Sequence, residues 1–224
     1  MQVVKSLVRR AVQPIHHRFR SGKGDLFLRL MGSANPGRLL DVGGGTGMNG
    51  EFVPLYEKFE SVTIVNLNPP DNNDACASRL RIIKANGCSL PFVDRAFDWV
   101  FSNAVIEHVG GREQQEHFAK EIRRVAAKGY FVTTPNRYFP IEPHALLPFY
   151  QFFPERLKFH ALRFSPGYMS EVEQINLLTR KEMRDLFPEA HVQQVNLASA
   201  LIACHSVITP QKIEFNGESF SCEQ

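Results

Sequence analysis

The sequence has no long apolar run, no paired cysteines and no strong net charge, and each absence removes a class of protein. No apolar stretch reaches the roughly 18 residues that span a bilayer. The net charge of +3 is too small to predict a nucleic-acid partner. The four cysteines are far apart and form no C-x-x-C pair. They are predicted to be reduced thiols in a cytoplasmic protein, with no metal site and no disulfide framework. The chain's 224 residues and 43% hydrophobic content are typical of one globular domain.

Glycine is concentrated in one stretch, residues 38–50 (RLLDVGGGTGMNG). Its apolar start predicts a buried strand, and apolar residues at helical spacing after it predict a helix. Glycines between them allow positive φ and let a ligand contact the backbone, and the free N–H groups of a helix N-terminus favour an anionic ligand group. The alternative is a tight structural turn, which four glycines make less favourable because each costs about 0.5–1 kcal/mol against alanine.

Strands and helices are predicted to alternate along the chain. β-branched and apolar runs predict further strands at Ser61–Leu67, Leu80–Lys84, Phe97–Phe101 and Tyr130–Thr134, with a helix at Arg112–Ala126. Residues 179–208 predict a closing helix, capped by Thr179 with Glu182, and a pair of strands. The alternation predicts an α/β fold with a parallel sheet covered on both faces.

The glycine motif alone does not decide the cofactor. Gly45-x-Gly47-x-x-Gly50 matches the dinucleotide fingerprint, which also needs an acid after the second strand or a basic residue for a 2′-phosphate. The sequence has Asn66 there, no Arg or Lys before Arg79, and no Tyr-x-x-x-Lys pair. An NAD(P)-dependent oxidoreductase is therefore a weaker alternative.

Three further motifs follow the glycine stretch in a fixed order: residues 85–92 (ANGCSLPF), 97–103 (FDWVFSN) and 105–109 (VIEHV). Together they resemble class I S-adenosylmethionine-dependent methyltransferases of the type 11 branch, which includes quinone-biosynthesis methyltransferases. The resemblance covers residues 36–135, the cofactor-binding half. It implies a single domain with a Rossmann-like, seven-stranded, mostly parallel sheet, helices on both faces, and S-adenosylmethionine as cofactor.

The resemblance also implies which positions contact the cofactor. They are Asp41, Gly43, Gly45 and Gly47 for the methionine moiety, Asn66 and Leu67 for the ribose and adenine, Asn86, Gly87 and Cys88 for the adenine, and Ser102 and Asn103 for the reactive end. The family usually has acids at positions 66 and 86. Asparagine still accepts hydrogen bonds but without charge, which leaves open a catalytically degenerate cofactor-binding or scaffold domain.

Two histidine-containing segments supply candidate catalytic residues for in-line methyl transfer, a reaction that needs no metal in principle. His108 is a candidate base. Residues 136–144 (NRYFPIEPH) add Tyr138, with Glu142 and His144 as an acid/base pair and Arg137 for an anionic substrate group. The alternatives are a capped turn at residues 107–108 and a rigid proline-bounded loop. This run resembles bacterial relatives discussed with surface-glycan biosynthesis, so a small-molecule, glycan-linked or lipid-linked acceptor is expected.

Two flanking regions are harder to assign. Residues 136–168 are predicted to form an aromatic and proline-rich substrate lid, or a satellite hydrophobic cluster under a structural loop. Residues 1–31 carry a basic, amphipathic helix pattern, with six basic and no acidic residues before residue 25. That helix is expected to pack near the cofactor cleft. Peripheral contact of residues 1–23 with an anionic membrane and a transit peptide are the alternatives.

Overall fold

The structure is a computed structural model that describes residues 22–32, 35–44, 52–69, 79–142, 144–163, 165, 175–195, 200–206, 212–215 and 218–221. Its strands are β1 Arg38–Val42, β2 Ser61–Asn66, β3 Leu80–Lys84, β4 Phe97–Asn103, β5 Ala126–Pro135, β6 Ile141–Glu142, β7 Leu147–Pro148, β8 His191–Val195, β9 Ala200–Ser206, β10 Lys212–Phe215 and β11 Glu218–Ser221. Residues 22–31 form helix α1. The other helices are α2 Val53–Tyr56, α3 Arg112–Val125, α4 Glu155–Leu162 and α5 Arg180–Leu186, with a 3₁₀ turn at Tyr150–Phe152.

Seven strands form one sheet in the order β3-β2-β1-β4-β5-β9-β8. The first five are parallel, and β9 runs antiparallel to both β5 and β8. This is the seven-stranded, mostly parallel α/β sheet that the sequence predicted. From β1 the chain first proceeds to β2 on one side and later to β4 on the other. The carboxyl ends of β1 and β4 therefore flank a topological switch point, where open α/β sheets bind ligands.

The two faces of the sheet bury separate apolar clusters because successive strand residues point to opposite sides. In β4, Trp99 and Phe101 face one cluster, while Val100 faces the other. Helix α1 covers the first face, where the Phe27 ring lies 5.8 Å from Trp99 and 5.6 Å from Phe101 between centroids. The described part of the N-terminal region thus packs on the domain. Residues 1–21, on which the membrane and transit-peptide alternatives rest, lie outside the described residues.

The second face is covered by α3 and α5. Phe118, Ile122 and Val125 are fully buried on α3, as their helical spacing predicted. Helix α5 begins with the predicted capping box, in which Thr179 accepts from the Glu182 backbone N–H and the Glu182 carboxylate accepts from the Thr179 N–H. Among the described residues, no helix is long and apolar enough to cross a membrane.

Residues 136–168 include the satellite hydrophobic cluster that was one of the two alternatives, whereas the substrate lid stays a prediction. Their described part builds a satellite cluster around Ala145, Tyr150 and Leu162. Several large apolar side chains around it remain exposed: Tyr138, Ile141, Phe149, Phe152, Leu157 and Phe159.

The expectation that all four cysteines are reduced thiols is wrong, because a disulfide bond takes up Cys204 and one other cysteine. Cys204, buried in β9, is disulfide-bonded to a partner outside the described residues. Cys88 is free. A cysteine partner distant in sequence is brought near by folding, and the spacing of cysteines along the chain does not reveal it.

Candidate functional site

The glycine bend after β1 is packed too closely to carry side chains. Gly43 has φ +92°, and a Cβ there would lie 2.3 Å from Cγ2 of Val105. A Cβ on Gly44 would lie 2.7 Å from Oδ2 of Asp41 and 2.9 Å from Cγ2 of Ile64. The bend therefore packs its bare backbone against the turn after β4. This internal packing requires glycine at both positions, and contact of the bend with a ligand stays a prediction. Gly45 and Gly47 lie outside the described residues.

Asp41, at the end of β1, is buried beneath the bend. Its carboxylate accepts a hydrogen bond from the hydroxyl of Tyr56, which belongs to the helix after the bend. Burial raises the pKa of Asp41 to about 7, although the Tyr56 hydrogen bond opposes this shift. Burial, with the adjacent Asp41 charge, raises the pKa of Tyr56 as well. The pair fixes α2 to the strand that carries the bend.

Asn66 joins the end of β2 to the same bend. Its Nδ2 donates to the Gly44 carbonyl at 3.0 Å, and its Oδ1 accepts from the Asn68 N–H at 3.0 Å. Leu67, beside it, is 58% exposed. The predicted contact of Asn66 with the ribose stays a prediction, since both ends of its amide are engaged within the protein.

The turn after β3 holds the three residues predicted to border the adenine. Asn86 Oδ1 accepts from the Cys88 N–H at 2.9 Å. A Cβ on Gly87 would lie 2.9 Å from the Phe118 ring, so the turn packs directly on α3. The Cys88 thiol donates to the Gln114 carbonyl at 3.3 Å, and burial raises its pKa. The turn lies at the same sheet edge as the glycine bend.

Ser102 and Asn103 end β4 in different environments. Ser102 is fully buried, and its hydroxyl donates to the Val42 carbonyl at 2.9 Å, joining β4 to β1 at the switch point. Asn103 Oδ1 accepts from Lys23 Nζ at 2.9 Å and from the Thr133 hydroxyl at 2.7 Å. Lys23, on α1, thus places an ammonium group at this edge. Sequence reasoning missed its role, because in the sequence it is only the last of six basic residues.

The turn after β4 is held rigidly and buries a carboxylate. It starts at Ala104, whose φ of +55° is unusual for a residue with a side chain. Glu107 is buried, with Oε2 accepting from the Thr134 hydroxyl at 2.9 Å. Its Oε1 is also buried and has no hydrogen-bond partner among the described residues. The Asn176 N–H donates to the Glu107 carbonyl at 2.8 Å and fixes the backbone. Burial raises the pKa of Glu107, against the lowering effect of His108 and other neighbours.

The structure brings together three predicted catalytic residues from two segments. His108 Nε2 and His144 Nε2 lie 3.3 Å apart, with the rings at 89°. His144 Nδ1 lies 2.6 Å from Glu142 Oε1, and Glu142 Oε2 accepts from the Ala145 N–H at 2.5 Å. Burial raises the pKa of Glu142, but the hydrogen bonds and charge of His144 outweigh it, so the pKa is held below its usual value. Because a carboxylate accepts, it holds the His144 proton on Nδ1 and leaves Nε2 facing His108.

Two other predicted residues lie apart from this cluster. Tyr138 is 69% exposed and stacks on Phe152 at 6.5 Å between centroids. No contact in the described part of the chain ties it to the histidines, so its catalytic role stays a prediction. Arg137 pairs with Glu182 at 3.3 Å and is therefore already occupied by a carboxylate of the protein.

Residues 40–133 match a family whose description is "Methyltransferase domain", of the type 11 branch. This segment is a methyltransferase domain. The match confirms the resemblance found in the sequence, and it argues against the oxidoreductase alternative.

A protein of Encephalitozoon cuniculi named as a methyltransferase is 43% identical over 58 residues, which cover 25% of this chain and 28% of that protein. A Pyrococcus horikoshii protein has a TM-score of 0.58 at 16% identity, covering 84% of this chain and 90% of that one. The 1,6-didemethyltoxoflavin-N1-methyltransferase of Burkholderia thailandensis, with bound 1,6-didemethyltoxoflavin and S-adenosylhomocysteine, has a TM-score of 0.54 at 15% identity. The likeness covers 91% of this chain and 86% of that one. These structural likenesses establish the fold.

The methyltransferase domain contains all the predicted cofactor positions, from Asp41 to Asn103, and His108. Glu142 and His144 lie beyond the matched segment. His108, inside the matched domain, therefore contacts His144 in a segment that the family match does not cover.

Proposed function

We propose that this protein is an S-adenosylmethionine-dependent methyltransferase that acts on a small-molecule, glycan-linked or lipid-linked acceptor. One observation carries the proposal. In a methyltransferase domain, the bare backbone of Gly43 packs on Val105, so the glycine bend lies beside the turn that carries Glu107 and His108. A cofactor cradle and a group able to accept a proton thus lie on the same edge of the sheet.

The residues around the bend fit the chemical groups of S-adenosylmethionine. In this proposal the backbone of Gly43 and Gly44 contacts the methionine moiety. The Lys23 ammonium, at 2.9 Å from Asn103 Oδ1, provides a cation for the terminal carboxylate. Asn66 and Asn86, at the ends of β2 and β3, lie where the ribose and adenine would bind in the predicted arrangement.

When bound, S-adenosylmethionine supplies a methyl carbon whose bond to sulfur breaks as the bond to the acceptor oxygen forms. The protein's part is to align the acceptor, exclude water and take its proton. The His144 Nε2 is suited to accept that proton because Glu142, at 2.6 Å from Nδ1, holds the required tautomer and stabilises the resulting cation. His108, 3.3 Å from His144, is the other candidate base.

The acceptor is proposed to be partly apolar. Tyr138 and Phe152 stack on each other while 69% and 52% exposed, and Phe159 is 67% exposed. These aromatic side chains belong to the segment that also carries Glu142 and His144. An exposed aromatic surface in the same segment as polar catalytic groups suits a sugar ring, a phenol or a lipid-linked glycan, since such molecules present both apolar faces and hydroxyls.

Two measurements test the proposal. Isothermal titration with S-adenosylhomocysteine should show one site, and Asn66→Ala should weaken it severalfold. Transfer of labelled methyl groups to a panel of glycan, phenol and lipid extracts should then reveal turnover. His144→Ala or His108→Ala should lower turnover by more than about tenfold, the modest end for general-base catalysis. His117→Ala, which removes an exposed histidine of α3, is the matched control.

A specific observation favours a second candidate, a cofactor-binding domain without turnover. Asn66 Oδ1 and Asn86 Oδ1 already accept backbone N–H groups, at 3.0 and 2.9 Å, and neither carries the charge that strengthens a cofactor contact. Tight binding of S-adenosylhomocysteine with no methyl transfer to any extract would favour this candidate. The absence of any binding would contradict both.

A further inference from the structure

We propose that Glu107, His108 and His144 together bind a divalent transition-metal ion, with Glu142 orienting His144. One ligand atom from each of the three residues lies within 4.8 Å of the other two. Nothing in the sequence suggested this site, because the expected signal was a cysteine pair or closely spaced histidines. Here the ligands come from two segments 36 residues apart.

The two histidines already have the spacing of ligands on one metal. Two nitrogens bound at about 2.1 Å lie about 3.0 to 3.4 Å apart when the angle between them is octahedral or tetrahedral. The observed separation of the Nε2 atoms is 3.3 Å. Because His144 Nδ1 donates to Glu142, its Nε2 presents a lone pair toward His108. A metal ion bound by both nitrogens would replace this direct contact between the two rings.

Glu107 supplies the independent observation that points to a ligand. Its side chain is fully buried, yet Oε1 has no hydrogen-bond partner in the part of the chain that the structure describes, while Oε2 accepts from Thr134. A buried carboxylate oxygen without a partner is costly. Oε1 lies 4.0 Å from His108 Nε2, and the three ligand atoms lie within 4.8 Å of one another, so the side chains must rotate toward each other to bind one ion.

The supporting groups around the ligands are those of a metal site. Metal-bound histidines characteristically donate their other N–H to a carboxylate, as His144 does to Glu142. Thr134 fixes the second oxygen of Glu107, and Asn176 fixes its backbone. Two imidazoles and one carboxylate suit Zn²⁺, Co²⁺, Mn²⁺ or Fe²⁺ better than Ca²⁺ or Mg²⁺, which prefer oxygen ligands.

Three protein ligands leave coordination positions open, as in catalytic metal sites. Resting on the proposed function, we infer that an acceptor hydroxyl oxygen fills one of them. The acceptor class is then narrowed to alcohols, phenols or adjacent sugar hydroxyls, because a metal-bound hydroxyl loses its proton to solvent more readily. The histidines act as the base proposed above only in the metal-free protein; with a metal bound they are its ligands, and the acceptor proton passes to solvent.

Metal binding is tested on tag-free protein treated with EDTA and dialysed. Equilibrium dialysis against Zn²⁺ should show one ion per chain, and Co²⁺ should give the visible absorption of a bound ion. His108→Ala, His144→Ala and Glu107→Gln should each weaken binding by at least tenfold, and Glu142→Gln by about tenfold to a hundredfold, as for groups that support a metal ligand.

Two controls remove other histidines. His117→Ala alters an exposed position on α3. The double variant His16→Ala/His17→Ala removes an adjacent histidine pair, which alone could bind zinc. Both should bind like the wild type. Circular dichroism in EDTA checks folding, and added Zn²⁺ should raise the melting temperature of the wild type and the controls but not of the ligand variants.

The outcomes separate this proposal from the proposed function. No binding, or binding lost only in the His16/His17 control, would overturn the metal site. Since S-adenosylhomocysteine binding is measured by calorimetry in EDTA, its failure would count against the methyltransferase proposal instead. A wild type that binds Zn²⁺ but transfers methyl groups equally well in EDTA would retain the site and contradict the role of the metal in holding the acceptor.

Discussion

The free energy of unfolding of Asp41→Asn, relative to that of the wild type, should increase as the pH rises from 5 to 8. Burial raises the pKa of this carboxyl from 3.8 to about 7. Between those values the folded protein keeps a proton that the unfolded chain releases, so the free energy of unfolding falls as the pH rises. The fall is about 1.4 kcal/mol for each pH unit and levels off near pH 7, which gives about 2 kcal/mol between pH 5 and 7. An asparagine side chain does not titrate, so the variant escapes this loss, and the amide oxygen can still accept from the Tyr56 hydroxyl.

The assay is urea unfolding followed by fluorescence of Trp99, the single tryptophan, which is 1% exposed. The free energy of unfolding of the variant is subtracted from that of the wild type at pH 5, 6, 7 and 8. Asp98→Asn is a control whose stability difference from the wild type should stay constant from pH 5 to 8. Although burial raises the pKa of Asp98, hydrogen bonds from Lys128 and the Arg38 N–H lower it overall. The stabilisation by Asp98 is therefore fully present above its ordinary pKa of about 4 and lost only in more acidic solution.

The reasoning is refuted if the difference between wild type and Asp41→Asn stays constant from pH 5 to 8, or if it grows in favour of the wild type. Either result would mean that the carboxyl is ionised in the folded protein at pH 5. If the bend holds the cofactor, Asp41→Asn should also change the affinity for S-adenosylhomocysteine, because Asp41 lies beneath Gly44.

Three further substitutions test the packing around the site. Gly43→Ala should lower the free energy of unfolding by about 2 kcal/mol or more and weaken S-adenosylhomocysteine binding, since the residue has φ +92° and its Cβ would meet Val105. Adding Val105→Ala should restore part of the stability and part of the binding. If neither is restored, the clash with Val105 is excluded as the cause. Ser102→Ala should cost about 1 kcal/mol because the Val42 carbonyl loses a buried hydrogen bond; an unchanged unfolding midpoint would contradict it. Thr179→Ala should lower the free energy of unfolding by about 1 kcal/mol through loss of the capping box, whereas Thr179→Ser should retain most of the stability. Equal losses in the two variants would contradict a role of the cap.

The elements of the fold were predictable because their signals are local. β2 was expected at Ser61–Leu67 and ends at Asn66, and the helix expected at Arg112–Ala126 ends at Val125. The capping box at Thr179 was predicted residue for residue. Apolar periodicity, glycine and capping residues act within a few positions, so the sequence displays them directly. Lys23 and Tyr56 carried no such signal, since their partners Asn103 and Asp41 are distant in the chain.

By itself, the sequence determined the strands, the glycine bend and the likeness to methyltransferase domains, since each depends on neighbouring residues or on motifs in a fixed order. It also marked His108, Glu142 and His144 as chemically capable. Only the tertiary structure decided that they meet, with the two histidine Nε2 atoms 3.3 Å apart beside the buried Glu107. The reason is that β4 and β5 pair in the sheet, which brings the turn after one and the loop after the other to the same edge. Distances across strands depend on the whole fold, and no local pattern encodes them.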